Sequence, residues 1–282
     1  MKFLTFTPLY QERVWGGRAF ESELGRTLLP GLVIGESWEI VDRPEAQSVV
    51  ASGVLKGKTL RELIEENPAG IMGPNWDPLR RFPILVKWLD AQERLSLQVH
   101  PPKDIAPTLG GEPKTEAWYI AGATKDAAVL AGLKKGATRE KFEQALKDNT
   151  AENLLTRFPA QVGDCLFVPS GRIHAIDAGC LILEVQQNSD TTYRVYDWGR
   201  VGLDGQPRAL HVEQSLKSIL WDDTDAQLQT PNGKPEQIFV DAPEFKMTCI
   251  RLKDGESVGF SACEQPRLIG VVDGMLEETN EG

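Results

Sequence analysis

The chain has 282 residues, 41% of them apolar and 26% charged, an ordinary composition for a globular protein with room for one large domain or two smaller ones. A formal net charge of −10 weighs against nucleic acid or an anionic membrane surface as a partner. No stretch approaches the ~20 apolar residues that span a bilayer, and the opening MKFLTFTPLYQERVWGG lacks a long apolar signal region, so a cytoplasmic protein is expected.

Short β-like runs dominate the chain. In order they are ESWEIVD (36–42), FPILVKWLD (82–90), RLSLQVH (94–100), EAWYIAG (116–122), AAVLAGL (127–133), DCLFVPS (164–170), CLILEVQ (180–186) and TTYRVYDW (191–198). They are rich in Val, Ile, Leu and aromatics and end at Gly, Pro or Asp, the pattern of an antiparallel sandwich or barrel. Helical signals are fewer. Thr59 and Glu62 make a capping box ahead of Leu60, Leu63 and Ile64. Residues 138–158 lack Gly and, with Phe142, Ala145 and Leu146 at helical spacing, predict two short helices inserted between strands. Val212, Leu216, Ile219 and Leu220 predict one apolar helix face near 211–221.

The polar stretch 222–237 reads as a linker. It divides a main domain (1–221) from a partial β region (238–282), where QIFVD, KMTCIRL and RLIGVVDGML are three strand-like runs and further strands would be expected. Cys165, Cys180, Cys249 and Cys263 are widely spaced and form no CxxC pair, so reduced, small core thiols are expected.

The chain has only three histidines, His100, His174 and His211. Side chains alternate along a strand, so Ser96, Gln98 and His100 share one face while Leu95, Leu97 and Val99 share the other. By the same rule Lys114, Glu116 and Trp118 share a face, as do Arg172 with His174 and Glu184 with Gln186. Strands that turn these faces into one interior gather two imidazoles, two carboxylates and several cations. Imidazole and carboxylate suit a zinc-type divalent ion, and three protein ligands leave a position for a substrate oxygen. His211 precedes a helix, has no such partner, and is expected to be structural or at the surface. Of Trp15, Trp38, Trp88, Trp118 and Trp198, most are expected to pack in the core. Trp118 is the candidate for sugar contact, because it lies on the face of Glu116.

The strings FPILVKWLDAQERLSLQVHPP, KTEAWYI, VPSGRIHAI and LEVQQNSDTTYRVYDWGR, with VWGG and GESWEI, resemble the type I mannose-6-phosphate isomerases in their short bacterial form. The resemblance runs over roughly residues 5–220. It implies a cupin double-stranded β-helix (jelly-roll) core, so the fold class expected is mainly β, with the small helical insertion near 138–158 and the short C-terminal β region read above; that last region departs from the family's usual ending. It also implies zinc-dependent interconversion of mannose 6-phosphate and fructose 6-phosphate through an enediol-type proton transfer. The metal positions of the family fall on His100, Glu116 and His174, with Gln98 matching a further ligand of some members. Lys114, Glu184 and Arg194 fall on positions of catalytic importance, and Lys87 and Ser96 on positions that bind the substrate phosphate. Two rivals remain at this level: another metal-dependent cupin enzyme, such as an Fe(II) oxygenase, and a non-catalytic sugar-phosphate-binding cupin.

Overall fold

Alternation of apolar and polar residues lets one strand face two environments, and the chain uses it to stack sheets. The computed structural model describes residues 3–260 and 265–278. In chain order the elements are β1 (Leu9–Gly17), α1 (Ala19–Ser22), β2 (Ile34–Ile40), α2 (Leu60–Glu66), α3 (Pro68–Met72), β3 (Ile84–Ala91) and β4 (Leu97–Val99). Then come β5 (Glu116–Ala123), β6 (Ala128–Leu133), α4 (Arg139–Lys147), β7 (Leu155–Pro159), β8 (Cys165–Val168), β9 (His174–Ile176), β10 (Cys180–Gln187) and β11 (Tyr193–Tyr196). The last are α5 (Val212–Ser218), β12 (Leu228–Gln229), β13 (Glu236–Asp241) and β14 (Lys246–Ile250).

One sheet runs β1-β2-β3-β10-β5-β8-β12, and the facing sheet runs β11-β4-β9-β6-β7. All their pairings are antiparallel, and together they make a cupin-like jelly roll. Between them lies an apolar core that includes Leu89, Ile120, Ile182, Val129, Ile176 and Leu166. The outer face of the smaller sheet is covered by α4 and α5 through Phe142, Ala145 and Leu216. The outer face of the larger sheet is covered by the N-terminal helices through Phe20, Leu60 and Ile64. The predicted capping box forms: Glu62 N–H donates to Thr59 Oγ1 at 3.1 Å, and Thr59 N–H donates to Glu62 Oε2 at 2.7 Å.

Several expectations are corrected. Residues 138–158 form one helix, a 3-10 turn at Ala151–Leu154 and then β7, because pairing with β6 outweighs local helical preference. The stretch 222–237 is no free connector: Leu228 and Gln229 pair with Leu166 and Cys165 at the sheet edge, and β13 opens at Glu236. On α5, Leu216 is buried but Val212 is exposed, and Leu220 beyond its end is exposed too; small Ser215 and Ser218 supply the rest of the buried face. The run RLIGVVDGML is not a strand. Its Gly270 lies against Leu183, and Val272 packs on the outer core of the large sheet. The β13–β14 hairpin packs through Phe239 and Val240 on Ala117 and Cys165. Cys165 and Cys180 are buried free thiols and Cys249 is half-buried; Cys263 lies outside the described residues. Among the described residues, no helix is long and apolar enough to cross a membrane.

Candidate active site

Strand register assembles the site from two facing rungs. In the larger sheet, Trp38, Lys87, Glu184 and Trp118 lie side by side across β2, β3, β10 and β5. One step along the same face, Gln186 pairs with Glu116. In the smaller sheet, Arg194, Gln98 and His174 lie side by side across β11, β4 and β9. His100 follows β4 directly, and Lys114 enters β5 with its backbone N–H on Ser170 Oγ at 2.9 Å.

The predicted ligands meet. Nε2 of His100 and Nε2 of His174 each stand 3.4 Å from an oxygen of Glu116, and one potential ligand atom from each residue lies within 4.8 Å of the others. All three side chains are buried. His100 Nδ1 lies 2.8 Å from the carbonyl oxygen of Thr191, and His174 Nδ1 lies 2.8 Å from that of Arg172. A carbonyl only accepts, so each Nδ1 carries its proton and each Nε2 presents a lone pair. Burial and then the Lys114 charge push His100 down to about 4, and burial also lowers His174, so both rings are neutral at physiological pH. Two imidazole lone pairs and a carboxylate thus face one another in a buried space. That is unfavourable unless a cation stands between them.

Lys114 supplies one cation, with Nζ 2.5 Å from Glu116 Oε2 and 3.3 Å from His100 Nε2. Burial is the largest influence on Glu116 and alone would raise it, but Lys114 and the two histidines together hold the carboxyl well below the ordinary range. The other oxygen, Glu116 Oε1, is buried and has no hydrogen-bond partner among the described residues. That unanswered acceptor, beside two anchored imidazoles, fits a divalent metal ion.

The remaining predicted residues surround this cluster. Gln98 is half-buried; its amide nitrogen lies 3.3 Å from His174 Nε2 and its carbonyl oxygen 3.3 Å from Ser96 Oγ. Glu184 Oε2 accepts from the Trp118 indole N–H at 2.9 Å, while its Oε1 is buried without a hydrogen bond among the described residues. Trp118 is fully buried and turns its ring edge toward His174, with centroids 5.3 Å apart. Lys87 Nζ stands 3.3 Å from Glu184 Oε1 and 3.7 Å from Glu36 Oε2. Arg194 is half-buried in the smaller sheet. Its Nη1 donates to the Ala209 carbonyl at 2.9 Å, and its buried Nε has no partner among the described residues. Burial and the nearby Arg208 charge lower its pKa.

One reading of the sequence needs amendment here. Arg172 does not join His174 in the interior: it precedes β9, and its guanidinium turns to Asp223 at 2.6 Å and Asp225 at 3.1 Å, leaving only its carbonyl to serve His174. Gln186 donates to the backbone carbonyls of Gln187 and Ser189, at 2.8 Å and 2.6 Å. His211 stays outside the cluster, as expected; its Nδ1 accepts the backbone N–H of Arg194 at 3.3 Å. Sequence reasoning missed Glu36 and Arg13. Glu36 accepts from Arg13 Nε at 3.0 Å and from the Trp38 indole at 2.7 Å. The alternation of Glu36 with Trp38 in ESWEI was the available signal; Arg13 offered none.

Known proteins resemble this chain over most of its length. The family model described as "Phosphomannose isomerase type I, catalytic domain" matches residues 3–111. A Bacillus subtilis protein named "Probable mannose-6-phosphate isomerase GmuF" is 39% identical over 284 aligned positions, covering 99% of this chain and 88% of that protein. The chain belongs to the type I mannose-6-phosphate isomerase family. Mannose-6-phosphate isomerase ManA of Bacillus subtilis is 41% identical over 77% of this chain and 67% of its own length. Among solved structures of the family, the mannose 6-phosphate isomerase of Bacillus subtilis superposes with a TM-score of 0.77 at 35% identity, over 87% of this chain and 78% of that one. A zinc-bound mannose 6-phosphate isomerase shares the fold, with a TM-score of 0.68 at 17% identity over 87% of this chain and 82% of that one.

Proposed function

We infer that the chain is a zinc-dependent aldose–ketose isomerase that interconverts mannose 6-phosphate and fructose 6-phosphate. The observation that carries this reading is the buried His100–Glu116–His174 cluster, with both Nδ1 atoms tied to backbone and Glu116 Oε1 unanswered. Two ligands at zinc bond lengths in a tetrahedral arrangement lie about 3.4 Å apart, and each imidazole of the cluster is 3.4 Å from the carboxylate. The names of the relatives and the zinc in the bound structure point the same way. Gln98 is the candidate fourth ligand, since rotation of its amide turns Oε1 toward His174.

Bound zinc would supply Lewis acidity that stabilises negative charge developing on the sugar oxygens. The chain's own residues do the rest. Glu184 takes the proton from the carbon beside the carbonyl and returns it to the neighbouring carbon, using the oxygen that no hydrogen bond occupies. Lys114, already engaged by Glu116, donates to a sugar oxygen and steadies the enediol-type species. Trp118 fixes Glu184 rather than stacking on sugar. Arg194 offers its free N–H to the phosphate or to an enediolate oxygen, Ser96 adds a hydroxyl on the substrate side, and Lys87 is held between Glu36 and Glu184 rather than on the sugar.

The test is fructose 6-phosphate formation from mannose 6-phosphate by purified protein, before and after chelation and zinc readdition. Activity that disappears with chelator and returns with zinc is expected. Turnover indifferent to chelator, or none in the fully metal-loaded protein, ends this reading.

A further inference from the structure

Beyond the metal cluster, the interior holds a line of alternating charge. It runs Arg13, Glu36, Lys87, Glu184, Lys114, Glu116, with successive closest approaches of 3.0, 3.7, 3.3, 3.7 and 2.5 Å. Arg13 keeps 31% of its side chain exposed, whereas Lys87, Glu184, Lys114 and Glu116 are all at or below 6%. Three cations therefore balance three carboxylates between the protein surface and the two histidines. The outer half of this line, Arg13 and Glu36, touches none of the ligands.

Lys87 is the junction. Its ammonium sits over the Trp38 ring, 5.5 Å from the centroid, with Glu36 on one side and Glu184 on the other. Glu36 cannot follow Lys87 inward. Arg13 grips both of its oxygens, at 3.0 and 3.1 Å, and the Trp38 indole N–H holds Oε2 at 2.7 Å. A bidentate guanidinium contact of this kind fixes a carboxylate in direction as well as charge. The ammonium is shared between a fixed carboxylate and Glu184, and Glu184 Oε1 stays free of a hydrogen bond among the described residues.

We propose that Glu36, clamped by Arg13, is a positioning residue for isomerisation that acts through Lys87 to keep the proton-accepting oxygen of Glu184 open. With the Glu36 charge removed, Lys87 has a single carboxylate left. It closes on Glu184 Oε1, donates to it, and occupies the lone pair that the substrate proton needs. Glu36 never touches the sugar, so the loss falls on turnover and not on substrate binding. This rests on the isomerase reading above.

The test compares zinc-loaded wild type with Glu36→Gln, Glu36→Asp, Lys87→Met and the Glu36→Gln/Lys87→Met double variant. Glu36→Gln is expected to lower kcat about tenfold with KM and zinc content unchanged, the size of loss typical of a partner one shell out. Glu36→Asp keeps the charge and is expected to restore most of that loss. The double variant should be no slower than Lys87→Met alone, because Glu36 has nothing to act through once the ammonium is gone. Losses that multiply in the double variant, or a Glu36→Gln enzyme at wild-type kcat, overturn the proposal. If Glu36→Gln folds poorly, Arg13→Met loosens the same carboxylate from the exposed end and must show the same kcat-only loss. Wild-type protein without turnover defeats the isomerase reading and this proposal together; turnover that survives loss of the Glu36 charge defeats this one alone.

Discussion

Two neighbouring rungs of the larger sheet carry opposite chemistry on the same strands. Leu89, Ile182 and Ile120 lie side by side and belong to the apolar core between the sheets. Two residues along each strand, Lys87, Glu184 and Trp118 occupy the same face and the same strand order, and there the interior is ionic. The step between them is one period of side-chain alternation, about 7 Å. Apolar burial stabilises one end of the jelly roll, while the other end holds charges whose desolvation is offset only because they pair in alternation. Function in this protein is thus a local exception within a continuous architecture.

Four outcomes would break or sharpen that contrast. The largest effect belongs to the ionic end: His174→Ala should lose stoichiometric metal, checked by elemental analysis, and about a thousandfold in kcat, since a Lewis-acid ion is worth several kcal/mol. Next, Glu184→Gln should keep its metal and its fold but lose about a hundredfold in kcat. Wild-type turnover in that variant would remove Glu184 from proton transfer. At the apolar rung the pattern should invert. Ile182→Ala should cost about 2–5 kcal/mol in urea unfolding while the folded, metal-loaded fraction keeps its kcat. An equal loss of specific activity would mean that the two rungs are not separable.

The smallest effect is on pH. Burial, then Lys114, brings His100 down to about 4 from an ordinary 6.5, so between those values the unfolded chain holds a proton that the folded chain does not. The metal-free protein should therefore lose stability as pH falls through that window, by roughly 2 kcal/mol from His100 between pH 7 and 5. His174 is shifted in the same direction and adds to this loss. A urea midpoint that stays flat from pH 7 to 5 would contradict the buried, neutral state of these rings.

Much of this site was legible because a strand leaves a period-two record in sequence. Gln98 and His100, Glu116 and Trp118, and Glu184 could each be placed on an inward face before any coordinates. Where the strand pattern lapses, legibility lapses too. β1 carries two glycines and interrupted pairing with β2, so its Arg13 gave no hint of reaching Glu36. β7 reads as helix locally and becomes a strand only because β6 offers an edge. Arg172 lies just outside β9, where alternation no longer decides which way a side chain points, and Asp223 captured it. Leu268, Ile269 and Val271 look like strand residues but lie in a segment that has no strand structure, and they remain partly exposed.

One detail bears on how such a centre withstands genetic drift. Both imidazoles are steered by main-chain carbonyls, those of Thr191 and Arg172, and every amino acid carries the same carbonyl. Codon changes at 191 or 172 can rewrite the side chain without erasing the acceptor. Only a rerouted loop would misaim the rings. The pair of inward-facing Nε2 nitrogens is insured against point substitution at its own supports, and the vulnerability passes to whatever sets the path of those two loops.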